Sequence, residues 1–494
     1  MSTTATPAAT AAAPPSATPA SAPSASADPA AAPVELGVVG PGRWIERWDP
    51  QDEGFWASRG RAIARRNLVF SILAEHIGFS VWMLWSIVVV SMSGTFDATG
   101  ALVTAGANGW ALTAGQALTV LATASGVGAA LRIPYTFAVP IFGGRNWTVV
   151  SALLLLVPTL GLAWVVQHPE LPFWVLLVVA GTAGLGGGNF ASSMANISFF
   201  YPEREKGWAL GLNAAGGNIG VAVAQKAVPL VIGLGGVAAG LSNAGLLYVP
   251  LAIVSAVLAY RLMDNLREAK ADPGPTARAT RHLHTWLMAL LYIGTFGSFI
   301  GYSAAFPTLL KVVFERGDIA LAYGFLGALV GSLSRPLGGR LSDRLGGSVV
   351  TVGAFLVMAV AGLVAVVGVQ ERSLPLFFAS FMALFVATGV GNGSTYRMIP
   401  AIFSRLGARE AGTDGGAGTA ETALEFKRRA AGAVGIISAV GAFGGFVIPF
   451  VYKYAKEEYG SIVPALQVYV GVFLVLAVVT WAVYLRRGAT MAKV

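Results

Sequence analysis

The sequence predicts an all-α membrane protein whose twelve transmembrane helices form two six-helix bundles. Of its 494 residues, 55% are hydrophobic and 12% are charged, and the mean hydropathy of +0.67 is far above that of a soluble domain. Apolar stretches of about 20 residues, each long enough to cross a bilayer, recur along most of the chain. Their approximate bounds are 67–92, 113–141, 147–167, 172–200, 207–235, 244–264, 283–312, 319–340, 347–369, 375–404, 428–455 and 463–486.

A polar loop at 265–282 divides these spans into six plus six. Residues 1–35 are almost all Ala, Pro, Ser and Thr and lack the apolar core of a signal peptide, which indicates a disordered tail. The predicted parts are a disordered cytoplasmic tail at 1–45, a first bundle at 46–264, the cytoplasmic loop at 265–282, a second bundle at 283–487 and a short cytoplasmic tail at 488–494.

The net charge of +9 is distributed unevenly along the chain. Basic residues flank the predicted spans on one side, whereas the opposite loops 93–112, 168–171 and 236–243 contain few. The positive-inside rule therefore predicts a multi-pass protein of the inner (plasma) membrane with both termini in the cytoplasm. Because the basic residues follow this topology, nucleic acid is not an expected partner. The flanking basic residues are Arg59, Arg61, Arg65, Arg66, Arg267, Lys270, Arg278, Arg281, Lys427, Arg428, Arg429, Arg486 and Arg487.

Other residue types limit the possible chemistry. The chain has no cysteine, and its four histidines do not have the spacing of metal ligands. The glycine-rich stretches in the spans follow no predicted strand and precede no Gly-Lys-Ser/Thr, so they are not phosphate loops. We expect neither a metal site nor a cofactor, and no enzymatic activity. The glycines instead predict close contacts between helices.

Two arginines lie deep inside apolar segments in matching frames. Arg132 and Arg335 each have a glycine four residues before them and a Gly-Gly pair that begins eleven residues after them. A fixed charge in a bilayer is costly and usually contacts a substrate or an ion. The sequence shows no acidic residue that we expect at comparable depth beside them. We therefore predict that the two arginines bind a small anion rather than hydrogen-bond to neighbouring helices.

The two halves also resemble each other elsewhere. The arginine frames are 203 residues apart, and Gly78-Phe79-Ser80 in the first span corresponds to Gly301-Tyr302-Ser303 in the seventh. A parallel repeat of six spans with a site between the halves resembles the major facilitator superfamily. The segment from Gly338 to Gly347 resembles the loop motif that follows the eighth span in that superfamily.

Longer motifs give a more specific resemblance. Residues 188–202 (GNFASSMANISFFYP) and 206–218 (KGWALGLNAAGGN) closely resemble the nitrate signature of the nitrate/nitrite porters of the NarK type. Residues 435–446 (GIISAVGAFGGF) resemble the second signature of that family, and 291–301 (LYIGTFGSFIG) are similar to its seventh span. The likeness extends over about residues 45–487.

This resemblance implies roles for six residues. Arg132 and Arg335 would be the two anion ligands. Nitrate is flat and weakly hydrated, so guanidinium groups can bond its edges while aromatic rings cover its faces. Phe190 and Phe296 would pack on the faces of the anion, and Tyr292 and Asn218 would line the site. The alternative for the two phenylalanines is ordinary packing, and the alternative for Tyr292 and Asn218 is hydrogen bonding between helices.

Three features depart from the family pattern. Ala214 stands where a glycine is common, and Lys226 adds a cation to the fifth span. The first span carries Glu75 and His76, an acidic and titratable pair. Glu75 could carry a coupled proton, pair with Lys226, or lie near the cytoplasmic mouth, and His76 points to a different face of the helix. Lys226 could instead reach toward the outer end of its helix.

The resemblance implies a carrier that works by alternating access. We expect uptake of nitrate in exchange for nitrite, with nitrate, nitrite and the lipid bilayer as partners and the monomer as the functional unit. One alternative is a proton-coupled nitrate symporter that uses Glu75 or His76. A membrane nitrate receptor that does not transport is another, although the chain shows no output domain.

Overall fold

The computed structural model describes residues 35–97, 99–234, 240–269, 273–410, 420–488 and 491. Within them, twelve helices are long and apolar enough to cross a membrane, which confirms the predicted fold class. The bounds of these spans, numbered 1 to 12, are Glu53–Met92, Ala114–Phe142, Gly144–Val165, Phe173–Phe200, Glu203–Leu234, Ser242–Leu262, Leu283–Phe314, Gly317–Leu345, Gly347–Gln370, Leu374–Glu410, Gly432–Tyr459 and Val463–Leu485.

Shorter elements lie outside the spans or adjust them. Two-residue strands at Trp44–Ile45 and Asn265–Leu266 pair in parallel, and Thr95–Phe96 pairs antiparallel with Leu102–Thr104. The helix that contains span 11 begins at Ala420, and a short helix covers Pro273–Ala279. Wide π-helical turns at Trp56–Gly60, Ile293–Gly297 and Trp481–Leu485 interrupt spans 1, 7 and 12. We call the side of the molecule that carries Trp44 and Arg486 the terminal face, and the opposite side the far face.

Spans 2 and 8 show how the repeat is built. Each has 29 residues, and each ends ten residues after its buried arginine, at Phe142 and Leu345. Gly143 and Gly346 then adopt φ values of 88° and 91°, a conformation that side chains disfavour, and the next span begins at once. The Gly-Gly pairs are therefore the sharp turns on the terminal face, and they place the two arginines at equal depth.

Packing between spans follows the same repeat. Span 1 packs against spans 4 and 5, and span 7 packs against spans 10 and 11. Span 3 packs against span 6, as span 9 does against span 12. The two bundles meet where span 2 contacts span 11, span 5 contacts span 8, and span 7 contacts spans 1 and 2. A site between the bundles is consequently lined by spans from both halves.

Glycines bring the helix backbones together, as the sequence predicted. A Cβ atom on Gly186 of span 4 would lie 2.1 Å from the carbonyl oxygen of Gly78 in span 1. One on Gly444 of span 11 would lie 2.5 Å from the Cα of Gly297 in span 7. Because backbone atoms cannot move aside as a side chain can, these positions exclude every larger residue.

The outward surface is apolar over most of its height. Large hydrophobic side chains such as Trp174, Val178 and Leu234 are more than half exposed. A water-soluble protein rarely exposes such a continuous apolar surface. The exposed apolar side chains of the spans are therefore suited to contact with lipid.

Part of the predicted N-terminal tail is ordered, so its end was placed too far along the chain. Residues 1–34 lie outside the described residues, but Ile45 is fully buried. Asp264, at the end of span 6, binds Arg43 and Arg66 at 2.6 Å each, and it also accepts a hydrogen bond from Asn67. The contact with Asp264 fixes Arg43, and the strand pair joins Trp44–Ile45 to the start of the central loop, which contains a strand and a helix. The exact limits of the two bundles stay a prediction.

We expect Gly186→Ala to destabilise the protein, because its new methyl group would meet the backbone of span 1. Overpacking of this kind costs about 1–3 kcal/mol. The thermal unfolding midpoint in detergent should fall, and less monodisperse protein should elute from a sizing column. Gly353→Ala is the matched control, since a Cβ atom there meets nothing within 4 Å. Equal midpoints for the two variants would contradict the close contact of spans 1 and 4.

Candidate functional site

The two arginines predicted from the sequence are both buried inside the molecule. Arg132 on span 2 is 0% exposed and Arg335 on span 8 is 6% exposed, so neither faces lipid. Arg132 donates one hydrogen bond, from Nη1 to the carbonyl of Ser438 on span 11, at 3.2 Å. Its Nε and Nη2 atoms and the Nη1 atom of Arg335 have no hydrogen-bond partner among the described residues. Each half of the protein thus contributes one guanidinium group that has unpaired hydrogen-bond donors within the described part of the chain.

Glycines one turn before the arginines make room for aromatic rings. A Cβ atom on Gly128 would lie 2.3 Å from the indole of Trp82, and one on Gly331 would lie 2.7 Å from the ring of Phe299. Trp82 belongs to span 1 and Phe299 to span 7, the first span of each half. The glycine of each arginine frame therefore lets a ring pack tightly beside the helix that carries the charge.

Aromatic rings surround the Arg132 guanidinium. Its Cζ atom lies 4.5 Å from the ring centroid of Phe190, 5.0 Å from that of Phe296 and 5.5 Å from that of Trp82. A cation over the face of a ring is stabilised by about 0.5–2 kcal/mol. The rings thus offset part of the cost of burying this charge, and they hold it between span 4 of one half and span 7 of the other.

The spacing of the two phenylalanine rings limits how a planar anion can bind. The centroids of Phe190 and Phe296 are 6.1 Å apart, and their planes are inclined by 28°. A flat anion between two rings needs about 7 Å, since each face requires a contact of about 3.5 Å. The rings must therefore separate slightly to hold an anion face to face. They belong to opposite halves, so a relative motion of the bundles changes this spacing.

Tyr292 and Asn218 complete the predicted set. The Tyr292 ring stacks on Phe296 at 5.1 Å, and its hydroxyl lies beside the Arg335 guanidinium and within electrostatic range of Arg132. The Tyr292 hydroxyl and the Asn218 Oδ1 atom are buried without a hydrogen-bond partner among the described residues. A Cβ atom on Gly441 would lie 2.4 Å from the Tyr292 ring, so the second signature shapes this wall of the site.

Sequence reasoning missed two aromatic residues beside the arginines. Tyr396 of span 10 lies under Arg335, with the Cζ atom 5.5 Å from the ring centroid, and Trp82 lies beside Arg132. The Tyr396 hydroxyl is also buried without a partner among the residues that the structure describes. A tyrosine inside a predicted span was the available signal. Trp82 gave none, because tryptophan is common in membrane helices.

Glu75 corrects the expectation that no carboxyl lies at the depth of the arginines. Its side chain is fully buried and lies within electrostatic range of both Arg132 and Arg335. It accepts hydrogen bonds from Ser193 and Asn213 at 2.6 Å each, and its Oε1 atom has no partner among the described residues. It forms no ion pair within 4 Å in the described part of the chain. The arginines therefore have an acidic neighbour that is too far away to form an ion pair with them.

Lys226 and His76 have other partners. The Lys226 ammonium lies 3.4 Å from the carbonyl of Ala322 and 5.0 Å from the ring centroid of Phe325, so the suggested ion pair with Glu75 is wrong. The His76 ring bonds the carbonyl of Gly216 at 3.0 Å, in the contact between spans 1 and 5. In the described residues, no three His, Asp or Glu side chains are grouped closely enough to hold a metal ion.

Comparisons with known proteins agree with this architecture. The family model of the Major Facilitator Superfamily matches residues 70–420. The crystal structure of a D-xylose–proton symporter has a TM-score of 0.62 with this chain at 15% sequence identity, over 85% of this chain and 97% of that one. At that identity the likeness concerns the fold.

Two relatives are similar over almost their full length. The nitrate/nitrite transporter NarU of Escherichia coli (strain K12) is 38% identical over 460 residues, which are 90% of this chain and 96% of the relative. The "Probable nitrate/nitrite antiporter NarK2" of Thermus thermophilus is 33% identical over 472 residues, which are 91% of this chain and 98% of the relative.

Proposed function

Because the chain belongs to the NarK-type nitrate/nitrite porter family of the Major Facilitator Superfamily, we propose that it carries nitrate and nitrite across the membrane in exchange for each other. One observation supports this most strongly. A buried arginine from each half has N–H donors without a hydrogen-bond partner among the described residues. Unpaired buried donors are costly, and an oxyanion with three acceptor oxygens would satisfy them.

The proposed ligands would contact different parts of the anion. Arg132 and Arg335 would donate to the edges of the anion, with the Tyr292 hydroxyl and the Asn218 amide completing its hydrogen bonds. Phe190 and Phe296 would lie against its faces once their separation widens. The π-helical turn Ile293–Gly297 contains Phe296 and directly follows Tyr292. An irregular turn of this kind is a place where a helix can bend, so these two residues can move with the rest of span 7.

Exchange would follow from the charges of the two bundles. Like charges about 8 Å apart repel by about 2 kcal/mol at an effective dielectric constant of about 20. A bound anion attracts both guanidinium groups and therefore favours closure of the bundles around it. An empty carrier closes less readily, so the return step would require a second anion. Nitrate entering would thereby be tied to nitrite leaving.

The proposed orientation places the terminal face in the cytoplasm of a cell with this protein in its plasma membrane, with the monomer as the transporting unit. Arg59, Arg61 and Arg65 are exposed on that face at the start of span 1. Basic residues close to span ends are retained on the cytoplasmic side.

Proton-coupled symport is the second candidate, and the position of Glu75 favours it. A buried carboxyl near both arginines can exchange a proton as the anion comes and goes, which would link the two movements. His76 is less suited to this role, because its ring already bonds the backbone of span 5.

Arg132→Lys and Arg335→Lys should each nearly abolish nitrate transport while leaving the fold intact. A lysine cannot make paired bonds to one anion, and the loss of a charge-assisted hydrogen bond costs about 1.5–3 kcal/mol, or roughly a 10- to 100-fold loss of affinity. Counterflow in proteoliposomes measures the transport, and a sizing column checks the fold. Arg340→Lys is the control, since it lies on the same helix but is exposed. Normal counterflow by both buried-site variants would refute the assigned ligands.

Liposomes with defined contents separate exchange from symport. For exchange, labelled nitrate should enter only when nitrite or nitrate is inside, and an imposed pH gradient should change little. For symport, nitrate should enter empty liposomes when the outside is more acidic, and Glu75→Gln should remove that uptake. Glu371→Gln, at an exposed position, serves as the control. Binding of nitrate without any flux under either condition would instead indicate a receptor.

A further inference from the structure

The far face is closed by contacts that cross between the bundles. Lys311, near the end of span 7, donates hydrogen bonds to the carbonyls of Val90 and Ser93 at 2.8 and 2.7 Å. Val90 lies in the last turn of span 1, in the other half, and Ser93 directly follows that span. The carbonyls in the last turn of a helix have no partner within that helix and carry its negative dipole end. The Lys311 ammonium therefore ties span 7 to the unsatisfied end of span 1.

A second, neutral contact lies deeper at the same boundary between the two bundles, which we call the seam. Gln225 of span 5 is buried, and its amide donates to the Ser86 hydroxyl at 2.9 Å and to the carbonyl of Ser303 at 2.7 Å. Ser86 is in span 1 and Ser303 in span 7, so Gln225 joins three spans from both halves. An anion that reaches the arginines from the far face must pass where these contacts now close the seam.

Lys311 carries a charge into this seam, and the partners that it has among the described residues are the two neutral carbonyls. Among the described residues it forms no ion pair with a carboxylate within 4 Å, although its side chain is partly buried. A carbonyl offers the ammonium only a dipole, whereas an anion adds the attraction between two opposite net charges. An arriving anion would therefore be a better partner for this ammonium than the two carbonyls.

Span 7 connects Lys311 to the site between the bundles. Lys311 follows Phe296 by 15 residues on the same span, which corresponds to about 22 Å of helix. Between them lies Pro307, and Phe296 itself lies in the π-helical turn. Both features weaken the regular hydrogen bonding of a helix and allow it to bend. A bend of span 7 can thus release Lys311 from span 1 while Tyr292 stays beside Arg335.

We propose that Lys311 is the entry ligand for the transported anion on the far face, and that the carbonyls of Val90 and Ser93 take the place of the anion while this side is closed. This inference rests on the proposed nitrate and nitrite transport. An anion that displaces the carbonyls separates span 7 from span 1, so its binding shifts the protein toward the state open on the far side. From Lys311 the anion can then move between spans 1 and 7 toward the two arginines.

Kinetics measured separately from the two sides of the membrane test the proposal. Initial rates of nitrate uptake are measured in right-side-out and inside-out vesicles preloaded with nitrite. Lys311→Met and Lys311→Gln should raise KM for nitrate on one side only, by about 3- to 10-fold, because a charge at an entrance speeds association. Lys311→Arg keeps the charge and should stay near the original KM. Lys456→Met is the matched control, since Lys456 donates to the carbonyl of Gly460 within its own half.

Labelling identifies the side and keeps the test informative if one variant folds poorly. The chain has no cysteine, so Ser303→Cys provides a single thiol beneath Lys311. A maleimide that cannot cross membranes should label it from the same side on which KM rises. The rate should increase in Lys311→Met and remain nearly unchanged in Lys311→Gln, whose amide can still bond the carbonyls.

Two results would overturn the role of Lys311. One is an unchanged KM in Lys311→Met and Lys311→Gln, even with faster labelling, which would leave a closing contact without a role in binding. The other is an equal rise of KM on both sides. Failure of the proposed function looks different, because the unsubstituted protein would then show no nitrate flux in either kind of vesicle.

Discussion

The structure depends on two positive charges that are almost fully buried inside the molecule. A guanidinium group at such depth must be bonded or surrounded by polarisable groups, because its desolvation is costly. Arg132 has one carbonyl, three rings and a distant carboxyl around it, and Arg335 has Tyr292 and Tyr396. None of these is a counter-charge in contact. The arrangement stabilises the arginines enough for folding and leaves donors that an anion can satisfy.

Small residues make this arrangement sterically possible. Gly128 and Gly331 leave room for aromatic rings beside the helices that carry the arginines, and Gly441 leaves room for the Tyr292 ring. Gly217 leaves room for the Glu75 carboxyl, whose Oε1 atom would lie 2.4 Å from an added Cβ atom. The glycines of the two signature motifs thus shape the site by the space that they leave for neighbouring side chains. This explains why a glycine-rich stretch in a membrane helix can belong to a binding site although it contributes no ligand.

The sequence predicted the spans and the paired arginines because both depend on local patterns. An apolar stretch of about 20 residues needs no knowledge of its neighbours, and the Gly-Gly turns recur at the same distance from Arg132 and Arg335. It could not predict that Glu75 lies near both arginines, since that depends on how span 1 is rotated against spans 4 and 5. The order of residues 36–45 was missed for a similar reason. Asp264, which binds Arg43, lies about 220 residues further along the chain.

Glu75 changes the charge balance on which the coupling mode depends. With this carboxyl ionised, the empty site holds two positive charges and one negative charge, and a bound nitrate makes it neutral. With it protonated, the empty site holds two positive charges, and nitrate leaves one. The repulsion that would prevent closure of an empty carrier is therefore strong only in the protonated form. Exchange and symport need not require different folds, because the same pair of arginines can support either one according to whether Glu75 keeps its proton through the transport cycle.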